Sequence, residues 1–407
     1  MHTSIRISLP LALVASTFAV GSPSAGAASA ASAASAAGIE TIAPGVAYRT
    51  FTFDTPRGDA RIHEVAVGMR AGGPRVGLLY PGTVAARDTV SRMTGRQGAV
   101  AGINGDFFHM DESQHAGVPV TGAPSGPAVD GGNPLKGPVP LAQRYGPRPP
   151  QGEGPEHVFG VDTGGTARLD RLTVRGTIGT PNGPLDVSGL NQYALPVGSV
   201  GVFTSQWGTP SRARAVCGSD SSRAAACAAD VAEVTVRDGK VQGVAAEPGD
   251  GAIPTGTTVL LGRDAGAHAL RGLAPGTPVD VAYDLASASG ARYAFALGAY
   301  PLIRGGSPVA GLEPGGPAPR SAVCIRSNGH GLKLLATDGR GGKSPGLTLP
   351  ELAAALKPLG CTDAAYLDGG GSVTLAARGS DKGRIAVRNT LDGGKERPVA
   401  NGIAVFG

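Results

Sequence analysis

Three segments place an apolar run directly before Asp and Gly. They are "GINGDFF" (Gly102–Phe108), "LLATDGR" (Leu334–Arg340) and "AYLDGGGS" (Ala365–Ser372). Each puts a carboxylate, Asp106, Asp338 or Asp368, at the expected end of a strand. Singly, Asp-Gly and Asn-Gly are ordinary turn signals. As a set they describe polar groups converging on one rim of a sheet, held by apolar neighbours. The third has more glycine than a hairpin needs. Backbone N–H groups of Gly369, Gly370 and Gly371, with the Ser372 hydroxyl, can approach a ligand and form an anion-binding nest. Asn104 stands two residues before Asp106, so an extended backbone points both to one face.

Other constellations carry less. "HMDESQH" (His109–His115) gathers two His with Asp111 and Glu112, but the spacing is not H-E-x-x-H and reads as a solvated loop face rather than a metal site. Val373 and Thr374 follow Ser372, so it is not in a G-x-S-x-G nucleophile elbow. Trp207, the single Trp, fits a core or insertion contact at least as well as a sugar-stacking platform.

The elements that must position these groups are short. Strands are expected over 46–53, 62–67, 75–80 and 99–103, then a long Gly- and Pro-rich loop over 110–150. Loops of that length are often functional. Alternating runs from about 167 to 285, with an Asp-Gly hairpin in "RDGKV" (Arg237–Val241), read as a β-rich insertion. Further strands fall at 321–326, 332–337, 364–367, 373–376 and 401–406. One helix stands out in "TLPELAAALKPLG". Thr348 and Glu351 form a capping box, Leu352, Leu356 and Leu359 share a face, and Gly360 is the stop. The fold class is α+β: mixed, twisted, strand-rich sheets with few helices and a β-rich insertion.

With these motifs in order, the chain resembles the phosphodiester glycosidase family. The resemblance rests on "INGDFF", "YPLIRGG" (Tyr300–Gly306), "APRSAV" (Ala318–Val323), "TDGR", the capped helix, "YLDGGGSVTL" and "RPVANGIAVF" (Arg397–Phe406), and spans residues 39–407. It implies hydrolysis of a sugar-1-phosphodiester at the anomeric C–O bond, such as an N-acetylglucosamine-1-phosphate diester, releasing sugar and a phosphomonoester. A phosphodiester carries one negative charge and calls for Arg and N–H donors. The resemblance supplies Arg320, Arg304 and Arg340, with Asn104, Gly369–Ser372 and Asn401. A carboxylate is wanted to activate water or attack the anomeric carbon. Asp368 ranks first because it adjoins the glycine nest, ahead of Asp338 and Asp106. Asp106 would alternatively hold Asn104 or sugar hydroxyls. No cofactor is required, and a divalent metal is left open.

The first residues read as a secretory signal peptide, residues 1–30, with an apolar core too short to span a bilayer. An Ala/Ser-rich lead-in, residues 31–38, follows. No later stretch is long and apolar enough for a transmembrane helix, so a secreted protein without membrane insertion is expected. Glycine (66) and proline (33) are abundant, and they favour turns between short strands over helices. The formal charge of +5 biases toward anionic partners, but no clustered basic stripe points to nucleic acid. The partner class is a glycan or phosphoglycan, of which a cell-wall polymer is one source. Four cysteines in an exported chain favour disulfides, with three possible connectivities. Cys217–Cys227 with Cys324–Cys361 is the most economical, and the alternative leaves Cys324 and Cys361 as buried thiols. Two rival functions remain: a non-catalytic glycan or phosphate binder on the same scaffold, and a hydrolase of another phosphodiester.

Overall fold

A computed structural model describes residues 38–150, 152–340, 344–379 and 383–407. The expected signal peptide and all but the last residue of the lead-in lie outside the described residues. Strands dominate. They form an 8-stranded, an 11-stranded and a 5-stranded sheet. Helices are few among the described residues: α1 (Val90–Arg96), α2 (Ala265–Arg271) and α3 (Leu349–Leu356).

Eight strands frame the site: β1 (Gly58–Gly68), β2 (Ala101–Asn104), β3 (Tyr300–Arg304), β4 (Ser321–Arg326), β5 (Gly331–Thr337), β6 (Asp363–Tyr366), β7 (Leu375–Arg378) and β8 (Gly402–Phe406). In the 8-stranded sheet β4 lies between β5 and β6 and is antiparallel to both. Hence β5 and β6 run the same way and leave the sheet at one edge. Register places Ala336 opposite Ser321 and Tyr366 opposite Ala322. Asp338 and Asp368 therefore emerge on that edge on either side of Arg320. The 5-stranded sheet joins β2 to β7 and β8. It meets the first sheet where the Asp368 N–H donates to the Gly105 carbonyl (2.8 Å).

Helix α3 begins as its sequence dictates. The Thr348 hydroxyl accepts from the Glu351 N–H, the Glu351 carboxylate returns to the Thr348 N–H, and Pro350 sits in the first turn. A 3-10 turn over Lys357–Leu359 ends at Gly360 in the left-handed conformation (φ 74°). The buried face of α3, Leu352 and Leu356, packs with Leu302, Tyr300, Tyr366 and Phe107. The helix thus fixes the face of β3 and β6 that carries the two tyrosines.

The strands of residues 167–285 continue the 11-stranded sheet through His157–Asp162 and Tyr293–Gly298. They include one parallel pair, Leu185–Leu190 with Val200–Phe203. Trp207 is fully buried against Phe203 and belongs to the core. The loop expected over 110–150 contains structure after all. Ala128–Asp130 and Asn133–Lys136 form a hairpin, with Gly131 and Gly132 both at positive φ (55° and 83°). Two such residues suit a tight turn, while strands this short give no readable period.

Both economical disulfides are present, Cys217–Cys227 and Cys324–Cys361. The second closes 37 residues of sequence and the first 10. Removing Cys324–Cys361 by paired Ala substitution is expected to cost about 3–4 kcal/mol on a chain-entropy basis, and Cys217–Cys227 about 1 kcal/mol less. Urea unfolding of the two variants checks the order, and the reverse ranking would reject it.

Candidate active site

The rim where the two sheets meet is built around Asn104. Its Nδ2 donates to the Asp368 carbonyl (2.8 Å), and its Oδ1 accepts from the Ser321 hydroxyl (2.6 Å) and the Thr374 N–H (3.2 Å). One buried amide thus ties β2, β4, the glycine turn and the approach to β7. Asn401, just before β8, accepts the Asp106 N–H on Oδ1 (2.9 Å). Asn104, Asp106, Asp368, Ser372 and Asn401 are therefore brought together, and all are buried.

Asp106 is 1% exposed. Its Oδ2 accepts the Gly126 N–H (2.5 Å), while Oδ1 has no partner. Glycine is needed at 298 because a side chain there would fall on this carboxylate. Burial pushes the Asp106 pKa up, against pulls from Gly126, Lys136 and Arg144. Lys136 is 0% exposed and donates to the carbonyls of Ser125 (3.2 Å), Gly126 (2.9 Å) and Gly137. Burial lowers its pKa while Asp106 pulls it back.

Asp368 is the second buried carboxylate. Burial pushes its pKa up to about 7, opposed by the Ser372 hydroxyl and Arg397, and reinforced by the charge of Asp106. Arg397 donates to Ser372 Oγ (3.4 Å) and packs against Gly371, where a Cβ would come within 2.7 Å of the guanidinium carbon. Gly369–Ser372 forms a tight turn rather than an open nest. The Gly370 N–H donates to the Pro319 carbonyl (2.9 Å) and the Ser372 N–H to the Gly369 carbonyl (3.2 Å). The Gly369 N–H is directed to the Asp368 carboxylate.

Arg320 borders the same turn, 7% exposed, with Nε on the Leu347 carbonyl (2.8 Å) and Nη2 on the Gly316 carbonyl (3.0 Å). Other expected residues stand elsewhere. Alternation along β5 puts Asp338 on the face opposite Thr337, and its Oδ1 is taken by His63 Nε2 (2.9 Å) and the Thr390 N–H (2.6 Å). The hydroxyl of Tyr48 closes that chain on His63 Nδ1 (2.6 Å). Arg304 pairs with Glu153 (3.2 Å), and Arg340 with Asp392 (3.1 Å), both at exposed positions.

Sequence reading missed Lys136, Arg144, Arg397, Tyr300 and Tyr366. Tyr300, Tyr366 and Arg397 lie inside the motifs named above, but nothing in the letters marks them as site residues. Tyr300 and Tyr366 are cross-strand partners with stacked rings, 5.5 Å between centroids. Arg144 lies over the Tyr300 ring at 4.1 Å. The "HMDESQH" segment is solvated at Met110, Asp111, Ser113 and Gln114, while His109, His115 and the Glu112 carboxylate turn inward. Glu112 is buried between His109 Nε2 (3.0 Å), His115 Nδ1 (2.9 Å) and Arg214 Nε. Arg214, 102 residues away, supplies the counter-charge that permits this burial. It also donates to Gln143 (2.8 Å), the neighbour of Arg144.

Residues 230–406 match the family profile described as phosphodiester glycosidase. Among solved structures, a hypothetical protein from Synechocystis is 20% identical with a TM-score of 0.66. The match covers 89% of this chain and 62% of that one, so this chain spans under two thirds of its length. The "putative exported protein" of Burkholderia pseudomallei K96243 is 18% identical with a TM-score of 0.67, covering 92% of this chain and 96% of the other. At these identities the two show the fold. The zebrafish N-acetylglucosamine-1-phosphodiester α-N-acetylglucosaminidase catalytic domain, auto-inhibited by its pro-peptide, is 13% identical with a TM-score of 0.44, covering 92% and 88%. No curated protein matches the chain.

Proposed function

We propose that this chain, whose residues 230–406 belong to the phosphodiester glycosidase family, is an exported hydrolase of sugar-1-phosphodiesters, with Asp368 as its catalytic carboxylate. The substrate would be an N-acetylglucosamine-1-phosphate diester or a related phosphoglycan, including a cell-wall polymer. The observation that carries this reading is Asp368 itself. It lies within the matched segment, buried beside a second buried carboxylate, with a pKa raised to about 7 and the charge of Arg397 acting on it.

The chemistry follows from those groups. Water attacks the anomeric carbon as the C–O bond to phosphate breaks. Asp368 takes the water proton, and the phosphate oxygen leaves with the bonding pair as a phosphomonoester. That leaving group is stable without protonation at neutral pH, because its second pKa is about 6. A base is therefore more useful than an acid, and one with a pKa near the working pH combines availability with proton affinity. Asp106 and Asn401 would meet the sugar, and the guanidinia the phosphate.

Product analysis tests the reaction. A sugar-1-phosphodiester should yield free reducing sugar and a phosphomonoester, with labelled water oxygen in the sugar. An intact sugar 1-phosphate would remove the glycosidase reading. If Asp368 is the base, kcat/KM should rise with pH through about 7, its raised pKa, and then level. A profile that falls through that region would make it an acid instead.

A further inference from the structure

Arg144 is 4% exposed, yet its side chain is only partly satisfied. Nη1 donates to the Pro147 carbonyl, while Nε and Nη2 are buried, make no hydrogen bond of good geometry, and interact with the Tyr300 and Tyr366 hydroxyls. Around it stand more buried atoms without a well-formed hydrogen bond: the hydroxyls of Tyr300 and Tyr366, which interact with the guanidinium, and Asp106 Oδ1 and Asn401 Nδ2. Orphaned polar atoms are rare in folded proteins because each is costly. Five residues with such atoms, in one neighbourhood, describe a place shaped for something polar.

The donors left open on Arg144 have a particular geometry. Nε and Nη2 form one edge of a planar fork, which matches two oxygens of a phosphate. Arg320 has that same edge occupied by the carbonyls of Leu347 and Gly316. The glycine turn has also used the Gly370 and Ser372 N–H groups internally. The fork of Arg144 is stacked on Tyr300 and held from behind. Arg223 Nη2 donates to the Arg144 carbonyl (2.6 Å), and neighbouring Gln143 bonds Ser219 (2.6 Å), both partners lying inside the Cys217–Cys227 loop. Outward, Arg144 lines a cleft of about 1020 Å³ with Arg148, Glu153, Arg223, Gly311 and Glu313. That space exceeds a phosphate and fits a further group esterified to it.

We propose that Arg144, rather than Arg320 and the glycine turn, is the anchor for the phosphoryl group, and that the cleft outside it takes the moiety beyond the phosphate. This rests on the sugar-1-phosphodiester reading for its substrate, but the anion site stands on its own geometry.

The test separates the two. Calorimetry with inorganic phosphate on the full chain needs no turnover. Arg144→Gln should weaken phosphate binding roughly 10- to 100-fold, and Arg144→Lys, which keeps charge but loses the fork, by less. In turnover, Arg144→Gln should raise KM for an N-acetylglucosamine 1-phosphodiester by a similar factor. It should raise KM for the uncharged p-nitrophenyl α-N-acetylglucosaminide by less. Soaking wild-type crystals in phosphate should place the anion on Arg144 Nε and Nη2, whatever the variants do. Unchanged phosphate affinity in Arg144→Gln, equal losses on both substrates, or an anion seated on Arg320 would each overturn the proposal. A wild type that binds phosphate through Arg144 but cleaves neither substrate would reject the glycosidase reading and keep the site.

Discussion

Asp368→Asn is expected to lower kcat/KM on a sugar-1-phosphodiester by roughly 10³-fold and to make the protein more stable above neutral pH. The two effects share one cause. Asp368 is 9% exposed, and burial raises its pKa to about 7 from an ordinary value of about 3.9. The folded state therefore prefers the neutral acid. Its contribution to stability is fully present below about pH 4, declines as the unfolded chain ionises, and is lost as pH passes through the folded value near 7. Asn is close in shape, cannot ionise, and keeps what the wild type gives up. The variant should gain up to ~2–4 kcal/mol over wild type at pH 8, with the gap closing toward pH 4. Urea midpoints across that range, beside initial rates, measure both. Near-wild-type rates would remove Asp368 from the reaction. A variant that is inactive and also less stable at pH 8 would mark a structural role, since the buried charge would then be well compensated.

Much of the frame of this site is legible in the letters, and the failures have physical reasons. The capped helix is read correctly because Thr348, Pro350, Glu351 and Gly360 act locally. Asn104, Asp106, Asp368, Ser372 and Asn401 converge as their strand-end positions imply. Asp338 illustrates what a strand conceals. "LLAT" in β5 is buried on both faces, so it lacks the polar alternation that would reveal parity. Only pairing shows that Asp338 faces His63 while Asp368 and Arg320 share the α3 side. The glycine run is similar. Its composition permits a nest, but whether its N–H groups point outward depends on the Pro319 carbonyl, which arrives from β4's approach. Arg144 and Lys136 are harder still. They sit in a Gly- and Pro-rich segment without period, and their partners are Tyr300, Asp106 and the Cys217–Cys227 loop, far away in sequence.

Lys136→Met should be the most destabilising single change near the site. Methionine replaces the stem of Lys136 in a fully buried position, so packing is largely kept. Three carbonyls, those of Ser125, Gly126 and Gly137, lose their shared donor. The Gly126 turn that holds Asp106 Oδ2 is thereby loosened. Asp106 also loses the cation that most offsets its burial after the Gly126 N–H. Removing one partner of a buried charged pair costs about 3–5 kcal/mol. The loss has a defined pH dependence. Without Lys136 the Asp106 pKa rises further, so stability falls more steeply as pH increases and the deficit is larger at pH 8 than at pH 5. Adding Asp106→Asn to Lys136→Met removes the uncompensated carboxylate and should recover part of the loss, the signature of a coupled pair. Urea unfolding of both single variants and the double variant at two pH values closes the cycle. Additive losses would show that Lys136 serves only its carbonyls. A pH-independent deficit would show that neither Asp106 nor Lys136 changes protonation over that range in response to the other, and would reject the coupled pair.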